Sequence, residues 1–189
     1  MIAAALLERH HRTTAAEVRR PAGPMDEQRF RAFHRRTCGP LWAYLSRACG
    51  DRSLADDLTQ ESYLRFLGSS FEPESDLHAR RYLFRIASNL LRDRLRRRRH
   101  EGPPPEGAVE PRTPALEPGE RIDLDRALRG FKERDRQVLW LCHVEGVPHH
   151  EIAEMLGLAP ASVRVIAFRA RKKLARILRA EPPATGSKP

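Results

Sequence analysis

The sequence predicts an all-α chain of two small helical domains joined by a flexible proline-rich linker, the second domain holding a helix-turn-helix. Three observations carry this. Apolar residues recur at helical spacing through residues 25–99 and again through 120–181, and no stretch of useful length alternates as a strand would. Between them, residues 100–119 (HEGPPPEGAVEPRTPALEPG) contain six prolines and no apolar periodicity, which is linker composition. Near the C-terminus a short apolar helix pattern is followed by Gly157 and then Pro160, the punctuation of two helices joined by a tight turn. Residues 1–24 are weakly periodic and are expected to be disordered, with Met25 an alternative start, and residues 182–189 form a polar tail.

Composition sets the class. With 189 residues and only 6% aromatics, two compact modules with narrow apolar stripes fit better than one large core. A net charge of +10, mostly arginine, points to a polyanionic partner, nucleic acid first. Cys38, Cys49 and Cys142 are odd in number and widely spaced, so neither a disulfide framework nor a metal knuckle is implied. That usage suits a reducing cytoplasm. Met1–Leu7 is too short for a signal-peptide core, and nothing downstream reaches membrane-spanning length.

The elements follow in order. The segment 26–48 carries Phe30, Phe33, Leu41, Trp42 and Leu45, with Gly39-Pro40 expected to kink or split it. Ser53 with Asp56 three residues on is a capping signature for a second helix reaching about Leu67, where Gly68-Ser69-Ser70 stops it. A third helix starts near Asp76 and runs into the arginines, with Leu83, Ile86, Ala87, Leu90 and Leu91 on its apolar face. In the second module, Glu120–Gly130 and Glu133–Val144 read as short helices facing inward through Leu124, Leu128, Val138 and Leu141. His149–Leu156 and a final helix from Pro160 complete it.

On that last helix Val163, Ala167, Ala170, Leu174 and Ile177 form one buried stripe, and Ser162, Arg164, Val165, Phe168, Arg169, Arg171 and Lys172 lie opposite. A dry seam with a basic outer face suits insertion into a major groove, where arginine pairs with guanine or clamps phosphates and Phe168 meets a thymine methyl. In the first module, Arg92, Arg94 and Arg96–Arg99 crowd six guanidiniums into eight residues, suited to phosphate contacts. Just upstream, Tyr82, Phe84 and Asn89 supply aromatic faces and an amide for unpaired bases, although Tyr82 and Phe84 taken alone read as core. Asp56, Asp57, Gln60 and Glu61 make an acidic patch ill suited to DNA and suited to a basic protein surface. Helix-dipole compensation in a first turn would account for Asp56 and Asp57 but not for Glu61. His143, His149 and His150 lack the cysteines or carboxylates that would complete a metal site, and no cofactor motif is present.

Three blocks in order, LADDLTQESYLRFL (54–67), YLFRIASNLLRDRLRRRRH (82–100) and EIAEMLGLAPASVRVIAFRARKKL (151–174), resemble the sigma-70 family in its small extracytoplasmic-function form. The resemblance spans about 25–181 and implies region 2 over 25–99 and region 4 over 120–181. It implies that Asp56, Asp57, Gln60 and Glu61 dock on the clamp coiled coil of core RNA polymerase, and that region 4 grips the flap. Tyr82, where members usually carry Trp, and Asn89 would face the melted −10 element, with Arg92, Arg94, Arg96 and Arg97 on phosphates. Arg164, Phe168 and Arg169 match positions that contact the duplex −35 element. An anti-sigma partner is likewise implied. Val165 and Ile166 depart from the usual Ser and Arg, and Ala159 replaces a usual Ser cap, a loss of about 0.5–2 kcal/mol.

The linker fits such a role. Two elements one and a half DNA turns apart lie ~50–55 Å from each other, and a linker of this length reaches at most ~66–72 Å. A stand-alone helix-turn-helix regulator is the alternative, but it leaves the acidic patch and the Tyr82–Asn89 block unexplained. A nuclease would need clustered carboxylates or a nucleophile with a base, and the sequence has neither arrangement.

Overall fold

The computed structural model describes residues 25–100 and 126–180, all-α among the described residues. The linker expected at 100–119, Leu124, most of the helix expected at Glu120–Gly130 and both chain ends lie outside them, apart from His100. Six helices organise the rest: α1 (Glu27–Cys49), α2 (Arg52–Leu67), α3 (Asp76–His100), α4 (Glu133–His143), α5 (His149–Leu156) and α6 (Pro160–Ala180). Residues 126–129 are also helical and lead into α4.

Helix α1 is continuous, so the expected split at Gly39-Pro40 does not occur. Proline removes one backbone donor, but Leu41, Tyr44 and Leu45 beyond it are fully buried, and that burial holds the helix through the defect. Its ends are well made: Asp26 caps the Arg29 N–H at 2.8 Å, and Gly50 closes it at φ 74°.

Helix α2 starts earlier than Ser53 suggests. Asp51 is its N-cap, accepting from the Leu54 N–H at 3.0 Å, and its other oxygen holds Arg98 of α3 at 2.8 Å. With the start at Arg52, no acid sits in the first turn, so the helix dipole explains neither Asp56 nor Asp57. Burial opposes ionisation of Asp51, but the bonds from Arg98 and Leu54 prevail and hold the carboxyl below its ordinary range. The depressed folded value means this contribution is complete above the unfolded carboxylate pKa and is lost as pH falls through the folded one. Asp51→Asn keeps a capping oxygen and loses the charge. It should therefore cost about 1 kcal/mol or less near neutrality. The gap in urea midpoint between variant and parent should narrow as the buffer is taken below the ordinary carboxylate range.

Helices α1–α3 form the first module. Phe33 stacks on Phe66 at 5.2 Å, and Tyr44 lies 5.4 Å from Phe84 at a tilt. Two buried hydroxyl pairs tie the helices together. Thr37 gives its proton to the Phe33 carbonyl, so Tyr63 is the donor to Thr37 at 2.6 Å. Ser88 gives its proton to the Phe84 carbonyl, leaving Tyr44 to donate to Ser88 at 2.7 Å. Burial raises both phenols, Tyr63 to about 12, so each remains a donor.

The second module is the expected helix-turn-helix. Gly157 ends α5 at φ 63°, Pro160 opens α6, and Val163, Ala167, Ala170 and Leu174 are buried on one stripe. Helix α4 ends at His143, one residue before the expected Val144. Ala127, Leu128, Phe131, Leu139, Ala170 and Leu174 make a small core of their own.

One expectation needs correction. The two modules do not stand apart: α4 packs on α1 and α5 packs on α3, so Val138, Leu141, Ile152 and Met155 join one core with Leu45, Leu83 and Leu91. Each module alone is too small to bury its whole apolar surface, and facing stripes close on each other.

Candidate protein and nucleic-acid interfaces

The acidic face of α2 is set by helical spacing. Asp57, Gln60, Glu61 and Leu64 stand three and four residues apart, while Leu54, Leu58 and Phe66 anchor the opposite side in the core. Asp57 and Gln60 are exposed, and Glu61 is partly exposed and paired with Arg65 at 2.7 Å. Asp56 is engaged differently: it accepts from the Trp42 indole at 2.6 Å, which makes it a brace between α1 and α2. Leu64 and Leu67 are 66% and 52% exposed beside these acids. The sequence reading did not single them out, although Asp57, Gln60, Leu64 and Leu67 continue the same row. An apolar strip beside acids suits a partner helix with basic flanks.

Helix α3 carries the second face. Phe84, at 1% exposure, is core rather than a base-stacking platform. Tyr82 is partly exposed, with one face stacked on Phe71 at 3.7 Å, so its ring orientation is fixed. Asn89 is partly buried and accepts from Arg92 at 3.0 Å. Arg94 and Arg97 are exposed, and Arg96 meets Asp93 at 3.4 Å in a surface pair that salt or a phosphate easily displaces. Arg81, Arg85, Asn89 and Arg92 form a row along this helix at spacings of four, four and three.

Helix α6 presents the third face, as the sequence predicts. Ser162, Arg164, Val165, Phe168, Arg169 and Lys172 are exposed, and Arg171 is half-buried. Phe168 is 59% exposed and Val165 46%, large apolar groups that solvent alone does not explain. Among the described residues no group of histidines, cysteines and carboxylates could hold a metal. The Cys142 thiol instead lies 3.4 Å from His149 Nε2, and burial raises its pKa. Cys38, Cys49 and Cys142 are free thiols, and no described helix is long and apolar enough to cross a membrane.

Comparison with known proteins finds a family whose models cover both modules. Residues 33–101 match Sigma-70 region 2, and residues 121–174 match Sigma-70, region 4. The ECF RNA polymerase sigma factor EcfG of Rhodopseudomonas palustris is 33% identical over 73% of this chain and 78% of its own length. The RNA polymerase sigma factor CarQ of Myxococcus xanthus is 30% identical over 71% of this chain and 80% of its own. In fold, the chain resembles the sigma factor RpoE of Bartonella quintana, solved in complex with the anti-sigma factor NepR. The TM-score is 0.64 at 22% identity, covering 81% of this chain and 98% of that one.

Proposed function

This chain belongs to the sigma-70 family, as a small ECF sigma factor directing transcription initiation, and from that premise we propose how its three faces divide the task. Helix α2 docks on core RNA polymerase through Asp57, Gln60 and Glu61, with Leu64 and Leu67 adding apolar contact and Asp56 bracing the face from behind. Helix α3 meets the opened −10 strand: Asn89 reads a base edge, Tyr82 offers an aromatic face, and Arg92, Arg94, Arg96 and Arg97 meet phosphates. Helix α6 enters the major groove of the −35 duplex with Ser162, Arg164, Val165, Phe168, Arg169, Arg171 and Lys172. The polymerase performs the bond-making, and this subunit supplies recognition and strand capture in the cytoplasm. The flap of the polymerase and an anti-sigma factor are its further partners, the latter supported by the complex in which RpoE was solved.

One observation carries the reading: an acidic, partly apolar helix face stands on a chain of net charge +10 whose two candidate DNA-facing helices, α3 and α6, are basic. The test is run-off transcription with core polymerase on genomic fragments. Asn89→Ala should reduce discrimination among −10 sequences by about tenfold or more, the worth of one good base contact, with core affinity unchanged. A variant that keeps its −10 selectivity removes Asn89 from the role. Failure of the parent protein to co-elute with core polymerase removes the whole reading.

A further inference from the structure

Large apolar side chains stand exposed at three places among the described residues: Val165 and Phe168 on α6, Val144 just beyond α4, and Leu64 and Leu67 on α2. The pair on α2 continues the row of Asp57, Gln60 and Glu61, so this face is acidic toward the start of the helix and apolar toward its end. Leu64 and Leu67 keep more than half of their surface in water, while Leu58, Tyr63 and Phe66 on the opposite side are buried. An apolar strip bordered by carboxylates is a surface made for covering, and its order of charge and apolarity restricts what can cover it.

The fold brings the N-terminal segment of the chain to this face. Helices α1 and α2 run antiparallel: the Trp42 indole meets Asp56 at 2.6 Å, Thr37 meets Tyr63 at 2.6 Å, and Phe33 stacks on Phe66 at 5.2 Å. The chain therefore enters α1 at Met25, which packs against the core, beside the end of α2 that carries Leu64 and Leu67. The residues before it have the complementary order. Met1–Leu7 is apolar throughout, Arg9 and Arg12 follow, and Arg9, Arg12, Arg19 and Arg20 outnumber Glu8 and Glu17. Laid antiparallel to α2, Leu6 and Leu7 fall on Leu64 and Leu67, and Arg9 and Arg12 fall toward Glu61 and Asp57. From Arg12 back to Met25 the chain reaches at most ~43–47 Å, whereas Asp57 to Leu67 takes up ~15 Å of helix, so the return is not strained. A second copy of the chain fits less well, because a symmetric contact sets Asp57 and Glu61 of one copy against the same acids of the other.

We propose that residues 1–12 dock on the acidic and apolar face of α2, with Leu6 and Leu7 against Leu64 and Leu67, and that core polymerase must displace them to bind there. The contact is a property of the free protein, while the competition rests on the docking role proposed for α2. Tethering favours the contact: joined to the fold through residues 13–24, the segment meets the face at an effective concentration on the order of millimolar. A contact too weak to hold between separate molecules therefore holds within one. Ordering the segment offsets part of the gain, which keeps it displaceable. A covered majority lowers the apparent affinity for polymerase by the fraction that is open.

The test uses the full chain, with and without core polymerase. Leu6→Asp with Leu7→Asp sets charges against Leu64 and Leu67. In the free protein, the backbone amide resonances of Asp57, Gln60, Glu61, Leu64 and Leu67 should shift from their parent positions. A chain begun at Met25, which keeps every described helix and the Asp26 cap of α1, should show the same shifted positions. Adding a peptide of residues 1–24 to that shorter chain should move them back toward the parent. If the face is covered in about nine molecules of ten, core polymerase binds the double variant about tenfold tighter than the parent. Identical resonances in parent and double variant overturn the docking. Resonances that move with protein concentration assign the face to a second copy and overturn it as well. Shifted resonances with unchanged core affinity overturn the competition, provided that Asp57→Arg with Glu61→Lys weakens core binding. If that variant also binds core polymerase as the parent does, the docking role of α2 falls and the contact of the segment stands.

Discussion

Asp57→Arg with Glu61→Lys should weaken binding to core RNA polymerase by on the order of a hundredfold, about 3 kcal/mol. Two negative charges on an exposed face become two positive ones, so attraction to a basic partner surface turns into repulsion. The fold should tolerate the change. Asp57 carries no described side-chain contact, and the Glu61–Arg65 pair is a surface pair whose reversal costs about 0.5 kcal/mol. Asp56 is kept because its bond to Trp42 makes it structural. The measurement is a fluorescence titration of labelled protein with core polymerase, alongside duplex DNA binding by the same sample. Duplex affinity should hold while core affinity falls. Unaltered core affinity, with promoter-directed RNA synthesis intact, would remove α2 as the docking element.

A pair of phenylalanines should give the largest contrast in stability. Phe84→Ala should cost about 3–5 kcal/mol, because a ring at 1% exposure leaves a cavity against Tyr44. For a chain of this size that lowers the thermal midpoint by on the order of 10 °C. Arg80 would also lose the ring it lies over, so the seam between modules should loosen with the core. Phe168→Ala should leave stability within about 0.5 kcal/mol, since that ring is 59% exposed. Its effect should appear only in duplex DNA, as affinity about tenfold weaker. Calorimetry and a duplex titration on both variants check the pair, and equal thermal losses would contradict the burial assigned to each ring.

The two rings also mark how far a linear reading reaches. Tyr82 and Phe84 stand two apart beside the same arginines, and sequence allowed either one as platform or core. Residues two apart on a helix face different ways, so once α3 packs against α1, Phe84 is driven inward while Tyr82 stays at the rim on Phe71. The acidic row behaves likewise: its spacing was visible, but the withdrawal of Asp56 to Trp42 depends on where α1 lies. The helix start behaves likewise: Ser53 with Asp56 carries the local capping signature, but the first helical turn forms at Arg52, which makes Asp51 the cap.

By itself, the sequence determined helix type and order, the turn from Gly157 to Pro160, the buried stripe of α6 as far as Leu174 (Ile177 beyond it is only partly buried) and the sign of charge on the faces of α2, α3 and α6. These follow from spacing along a single helix, which depends on residues within one or two turns. Tertiary structure alone decided that the modules share a core, that Arg136 caps α1, and that Arg80 and Arg81 meet Glu145 and Glu151. Those partners stand 65 and 70 residues apart for the two ion pairs. No local periodicity relates such positions; they meet only because each module leaves an apolar face uncovered and the other is near enough to cover it.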